Sequence, residues 1–112
     1  NKKKWPPIPN IFFEIWNKYS SSLTLPNCSL INVYKNEEFS LSIHQDKDEN
    51  DFSYPVVSIS IGNKAIFNYG SSRKNLKKIC LPSGSIVILK DESRLYYHSI
   101  SKVFKNDKNI FL

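Results

Sequence analysis

Two spacings of apolar residues divide this chain. After Asn10, apolar side chains recur at Ile11, Phe12, Ile15, Trp16 and Tyr19. Positions three and four apart share one side of an α-helix, so this spacing predicts one amphipathic helix of about three turns, N-capped by Asn10. The Ser20-Ser21-Ser22 cluster ends it. Ahead of the helix, Trp5-Pro6-Pro7-Ile8-Pro9 reads as extended, because its prolines fix φ and lack an amide donor. Beyond the serines the pattern shortens to β-like runs broken by turn residues. Candidate strands cover residues 29–34, 39–44, 56–61, 65–69, 78–81, 85–89 and 95–100. Val56-Val57-Ser58-Ile59-Ser60-Ile61 alternates after its first two residues, as a strand with one buried face would. Gly62-Asn63 reads as a hairpin and Pro82-Ser83-Gly84 as a second turn. Short strands at close spacing behind one helix predict a mainly β domain, a sandwich or jelly roll.

At 112 residues the chain has room for one core and not for two. It carries neither an apolar run of membrane-spanning length nor a basic-then-apolar leader, so a soluble, cytoplasmic protein is expected. Cys28 and Cys80 lie far apart and outside any C-x-x-C arrangement, and read as reduced, partly buried thiols. The chain opens on Asn1 rather than Met and stops on Phe111-Leu112 in what reads as mid-strand, which suggests a piece of a longer protein. The formal net charge of +6 suits a polyanionic partner. Yet Lys far outnumbers Arg, and Ala65 is the sole alanine, a bias that an AT-rich genome imposes on any protein. Charge alone leaves both explanations open.

The candidate chemistry lies in His44-Gln45-Asp46 and in His98, the chain's other histidine. Two imidazoles and a carboxylate can occupy one face of a metal octahedron and leave the opposite face open, the ligand set of non-haem Fe(II) oxygenases. Side chains at i and i+2 of a strand share a face, so His44 and Asp46 can converge, and a neighbouring strand can deliver His98. A lone strand histidine is more often structural than ligating, and H-x-D recurs by chance, so the triad by itself is suggestive only. The charged stretch around it, residues 45–54, would in isolation be a solvated loop.

The surrounding words are more specific. The blocks Leu30-Ile31-Asn32-Val33-Tyr34, Ser42-Ile43-His44-Gln45-Asp46-Lys47-Asp48-Glu49, Pro55-Val56-Val57-Ser58-Ile59-Ser60-Ile61-Gly62, Ala65-Ile66-Phe67 and Glu92-Ser93-Arg94-Leu95-Tyr96-Tyr97-His98 follow one another. In that order and spacing the chain resembles the AlkB family of Fe(II)/2-oxoglutarate-dependent dioxygenases, which repair alkylated nucleic acids. The resemblance covers nearly the whole chain. It implies a double-stranded β-helix (jelly-roll) core over residues 28–112, behind a leading segment and helix over residues 1–27, together a partial oxygenase domain. It further implies that His44, Asp46 and His98 hold Fe(II), and that Asn32, Val33 and Tyr34 lie against 2-oxoglutarate. Asp48 would read the positively charged alkylated base, and Lys74 or Arg73 would contact the substrate.

The implied reaction consumes O2 and 2-oxoglutarate, releases succinate and CO2, and hydroxylates the N-alkyl carbon, which leaves as an aldehyde. The base must be flipped out or single-stranded, in DNA or RNA, and a monomer is expected. The chain departs from the family in two places. It stops before the Arg-bearing strand that pairs with the far carboxylate of 2-oxoglutarate, and the nucleotide-gripping lid upstream is absent. Leu89 also stands where some relatives carry an aromatic. The alternative is therefore an impaired homologue that acts only as a metal- or nucleic-acid-binding β domain.

Overall fold

A computed structural model of the chain describes residues 7–22, 24–26, 29–34, 40–48 and 50–104. Helix α1 spans Asn10–Tyr19. Among the described residues six strands follow: β1 Leu41–His44, β2 Val56–Ser60, β3 Ala65–Gly70, β4 Lys77–Leu81, β5 Ser85–Leu89 and β6 Tyr97–Val103. A short 3-10 turn, Asp91–Ser93, precedes β6. The helix begins one residue earlier than the capping pattern suggests. Pro9 is its N-cap and Asn10 already sits in the first turn, so no side chain caps that end. Trp16 is the buried residue of the helix, and its indole N–H donates to the Thr24 carbonyl at 2.7 Å. Ser20 caps the other end, with its amide on the Trp16 carbonyl, and Ser21 takes a positive φ of 58° that helical geometry excludes.

The strands form a four-stranded sheet, β1-β6-β3-β4, and a two-stranded sheet, β2-β5, with every pairing antiparallel. The chain alternates between them: β1 to β2, β2 to β3, β4 to β5 and β5 to β6 each change sheet. Only β3–β4 is a hairpin between sequence neighbours. This is the expected jelly-roll arrangement. Gly62-Asn63 does not close a β2–β3 hairpin, because β2 pairs β5 while β3 pairs β4 and β6. It is a corner between sheets, as is Pro82-Ser83-Gly84. The two corners brace each other: the Gly62 amide donates to Ser83 Oγ at 3.1 Å and the Gly84 amide to the Ser60 carbonyl at 2.7 Å. Both glycines hold a positive φ, 108° and 88°, which costs a side-chain-free residue little.

The segment 29–34, expected as a strand, is irregular, and Leu30, Ile31 and Val33 lie in solvent. Apolar content marks a chain that fits a pleated surface, but a strand also needs a partner for its amides and carbonyls. Among the described residues none pairs with it. The core holds Trp16, Phe67, Leu81, Leu89 and Val103. Cys80 is exposed on β4 rather than partly buried, and Cys28 lies outside the described residues, as do Trp5 and Pro6. Among the described residues no helix is long and apolar enough to cross a membrane.

Candidate metal centre

His44 ends β1, and His98 is the second residue of β6, its neighbour. Continuing the Leu41↔Ile100 register would set His44 against Tyr97. An irregularity of the ladder between Leu41 and His44 shifts the pairing by one residue, so that His44 faces His98 directly. Such bulges re-aim side chains and end pairing. The two imidazole centroids lie 4.3 Å apart, tilted by 55°. Asp46 completes the group: Oδ1 is 3.4 Å from His44 Nε2, and Oδ2 is 3.3 Å from His98 Nε2. One donor atom from each residue lies within 4.8 Å of the other two.

Asp46 reaches this place by a route other than strand alternation, since β1 has ended two residues before it. The loop is tied down instead. Gln45 Nε2 donates to the Leu95 carbonyl at 2.9 Å. Arg94, buried to 2% exposure, donates from Nε to the Tyr54 carbonyl at 2.6 Å and from Nη1 to the carbonyl of Asp46 itself. Neither Gln45 nor Arg94 stood out in the sequence as a site residue. The signal was there for Arg94: in a chain that uses Lys almost throughout, an arginine marks a position where the two-pronged guanidinium is required.

The donor set fits a metal ion. Ligands bonded at about 2.1 Å and near right angles to one another sit about 3 Å apart, close to the spacings found here. Each imidazole offers its Nδ1–H to the carbonyl two residues back, His44 to Ser42 at 2.7 Å and His98 to Tyr96 at 3.1 Å. That bond places the proton of the neutral ring on Nδ1 and leaves the Nε2 lone pair aimed at the shared centre. His98 is nearly buried, with Phe67 beside it at 5.9 Å, whereas about a third of the His44 and Asp46 side chains remains open to solvent. The centre is therefore walled on the β6 side and open on the other.

Electrostatics fits the same picture. The hydrogen bond from His98, aided by the charges of His98, His44 and Arg94, holds the Asp46 carboxyl below its ordinary range against the opposing effect of burial. Burial pulls His98 down, but its bond to Asp46, its bond to the Tyr96 carbonyl and the Asp46 charge together hold it above its usual value. A divalent cation at this centre would compete with any proton on His98 Nε2.

The remaining candidates lie on three segments of the chain. Asp48, two residues past Asp46, is exposed. Asn32 and Val33 are exposed in the irregular 29–34 segment, and Tyr34 is half-buried, which pushes its phenol up. Lys74 and Arg73 occupy the β3–β4 turn, both exposed. The Arg73 guanidinium rests over the Tyr97 ring at 5.0 Å. Tyr97 and His98 are consecutive strand residues and point to opposite faces, so Arg73 leans on the face away from the triad.

Comparison with known proteins agrees with this geometry. The model of the 2OG-Fe(II) oxygenase superfamily matches residues 1–110. The chain is 39% identical over 104 residues to the alpha-ketoglutarate-dependent dioxygenase AlkB of Escherichia coli K12, covering 88% of this chain and 48% of that protein. It is 36% identical over 87 residues to the DNA N(6)-methyladenine demethylase ALKBH1D of Arabidopsis thaliana, covering 72% of this chain and 20% of that one. The solved structure of OsALKBH1 superposes with a TM-score of 0.65 at 28% identity, over 88% of this chain and 55% of that chain. This chain thus spans about half the length of the bacterial relative it matches.

Proposed function

The chain belongs to the 2OG-Fe(II) oxygenase superfamily and, within it, to the AlkB family, and from this we propose that the whole protein oxidatively dealkylates N-alkylated nucleobases. The observation that carries the reading is the meeting of His44, Asp46 and His98 around one centre with both Nε2 atoms turned inward. Those three residues would hold Fe(II). With 2-oxoglutarate and O2 the bound iron supplies oxidative decarboxylation to succinate and CO2, coupled to hydroxylation of an N-alkyl carbon.

The chain's own residues select and hold. The Nδ1–H bonds to Ser42 and Tyr96 keep both rings in the ligating orientation. The depressed Asp46 carboxyl stays ionised, as a hard cation requires. The Tyr34 phenol, kept neutral by its partial burial, can donate to an oxygen of 2-oxoglutarate, with the Asn32 amide and the Val33 backbone beside it. Asp48 stands close in sequence to Asp46, where its charge favours a cationic base such as 1-methyladenine or 3-methylcytosine over the neutral parent. Lys74 and Arg73 offer positive charge to phosphates from the exposed β3–β4 turn. A target atom inside a duplex is out of reach, so the base enters flipped or from a single strand.

Among the relatives, three from Arabidopsis thaliana are named for DNA N(6)-methyladenine and one from Schizosaccharomyces pombe for tRNA. DNA is accordingly the first substrate to test, with RNA second. All three candidate ligands come from one chain, which suits a monomer, and the exposed thiol of Cys80 suits a reducing, cytoplasmic setting. We read residues 1–112 as one part of the oxygenase domain.

Incubation of the whole protein with Fe(II), 2-oxoglutarate and a 1-methyladenine oligonucleotide tests the reading. Succinate and restored adenine are expected, and neither is expected from Asp46→Ala. Equal turnover by that variant would exclude the oxygenase chemistry; succinate without base restoration would point to another substrate.

A further inference from the structure

The loop that carries Asp46 and Asp48 is closed at its neck by a single side chain. Arg94 Nη1–H is bonded to the carbonyl of Asp46, where the loop leaves β1, and Nε–H to the carbonyl of Tyr54, where the loop returns toward β2. The guanidinium also lies 5.4 Å from the centroid of the Phe52 ring, within the same loop. The residue after it, Leu95, accepts the Gln45 amide through its carbonyl. Four contacts thus join residues 45, 46, 52 and 54 to one short stretch between the Asp91–Ser93 turn and β6. Arg94 sits four residues before His98, so the segment that leads into one candidate ligand also fixes another.

We propose that Arg94 is a positioning residue: its buried fork sets the Asp46 backbone at the metal centre and couples that centre to the far end of the loop that displays Asp48. This rests on the triad being a metal site, as argued above. The geometry explains why an arginine is needed. Two carbonyls from opposite ends of a loop are bridged by two N–H groups of one rigid plane, whereas a lysine ammonium is a single point on a flexible stem. Without the bridge the loop ends can separate, and Asp46, which lies beyond the end of β1, keeps only the neighbouring Gln45–Leu95 bond to hold it near the two rings. Partners one shell removed from a metal typically alter its affinity by about 10–100-fold.

The test uses Co(II) as probe with the whole protein, read by its visible absorption and by calorimetric titration. The wild type is expected to bind one equivalent and Asp46→Ala none. Arg94→Lys is expected to bind about 10–100-fold more weakly with an altered Co(II) spectrum. Leu81→Ala, which removes buried volume from β4 at a distance from the site, is expected to lower the melting temperature and leave Co(II) affinity unchanged. Guanidinium added to Arg94→Ala is expected to restore part of the affinity.

A measurement on the wild type needs no variant: Co(II) should slow amide hydrogen exchange at Phe52, Ser53 and Tyr54, because pinning Asp46 pins the neck. Wild-type affinity in Arg94→Lys, or exchange at residues 52–54 indifferent to Co(II), would overturn the inference and leave the metal site standing. A wild type that binds no Co(II) would overturn both.

Discussion

Residue by residue, metal binding and stability both turn on protons. His98 is held above its usual value in the metal-free protein, whereas a metal requires its neutral ring. Affinity for Co(II) or Fe(II) is therefore expected to fall as pH drops through the raised His98 value, by about tenfold per unit once one proton must be displaced. The same pair sets an opposite trend in the metal-free chain. Stability from a raised His98 is fully present below its unfolded value of 6.5 and is lost as pH climbs through the folded one. Stability from a depressed Asp46 is present above 3.8 and is lost as pH falls through its folded value. Melting of the metal-free protein is thus expected to peak between these limits and decline toward alkaline pH, while the metal-loaded protein gains there. Melts of both forms across pH 3–9 check the crossing; parallel curves would contradict it.

Asp48 makes a separate prediction. Its carboxylate is exposed, so its attraction for a cationic base is screened, and Asp48→Asn is expected to raise KM for a 1-methyladenine oligonucleotide about fivefold, roughly 1 kcal/mol. Metal affinity should not change, and the effect should shrink in high salt. That His44, Asp46 and His98 come together was legible in the words around them rather than in their spacing, since H-x-D and a distant histidine are weak signals by themselves. Arg94 was harder to see, since its role lies in carbonyls brought together from residues 46 and 54, which no local spacing encodes.

At the scale of elements, α1 and the six strands followed from periodicity, because amphipathic spacing and short alternating runs report the buried face of each element directly. Trp16 is the anchor of the helix. Trp16→Ala removes both its burial and the bond to Thr24, and is expected to cost about 3–5 kcal/mol in denaturant unfolding. What periodicity could not carry was pairing. Gly62-Asn63 has hairpin letters yet turns between sheets, since whether β3 pairs β2 or β6 is decided by long-range contacts. Residues 29–34 have strand letters but no partner strand among the described residues. The β3–β4 hairpin offers a test of the turn that carries Lys74: a Cβ at Gly70 would lie 2.6 Å from the Asn75 carbonyl oxygen. Gly70→Ala must push that turn aside, at roughly 1–3 kcal/mol. It is expected to weaken oligonucleotide binding while Co(II) affinity stays at the wild-type level, as parallel titrations would check.

Across the molecule, the two sheets are held by a small apolar core, Trp16, Phe67, Leu81, Leu89 and Val103 among the described residues, and by corners that hydrogen-bond to each other. The candidate metal centre lies where β1 and β6 meet, so an ion bound there would join two strands and a loop. Ligand that binds only the folded form stabilises it by about 2.7 kcal/mol at a hundredfold excess over Kd. The geometry predicts that His44, Asp46 and His98 hold one divalent metal. The most direct test is anaerobic calorimetric titration of Fe(II) into the whole protein and into Asp46→Ala, with melting followed on the same samples. One equivalent bound and a raised melting temperature in the wild type, with both lost in the variant, is the predicted result. Equal binding by the two proteins, or none by either, would contradict it.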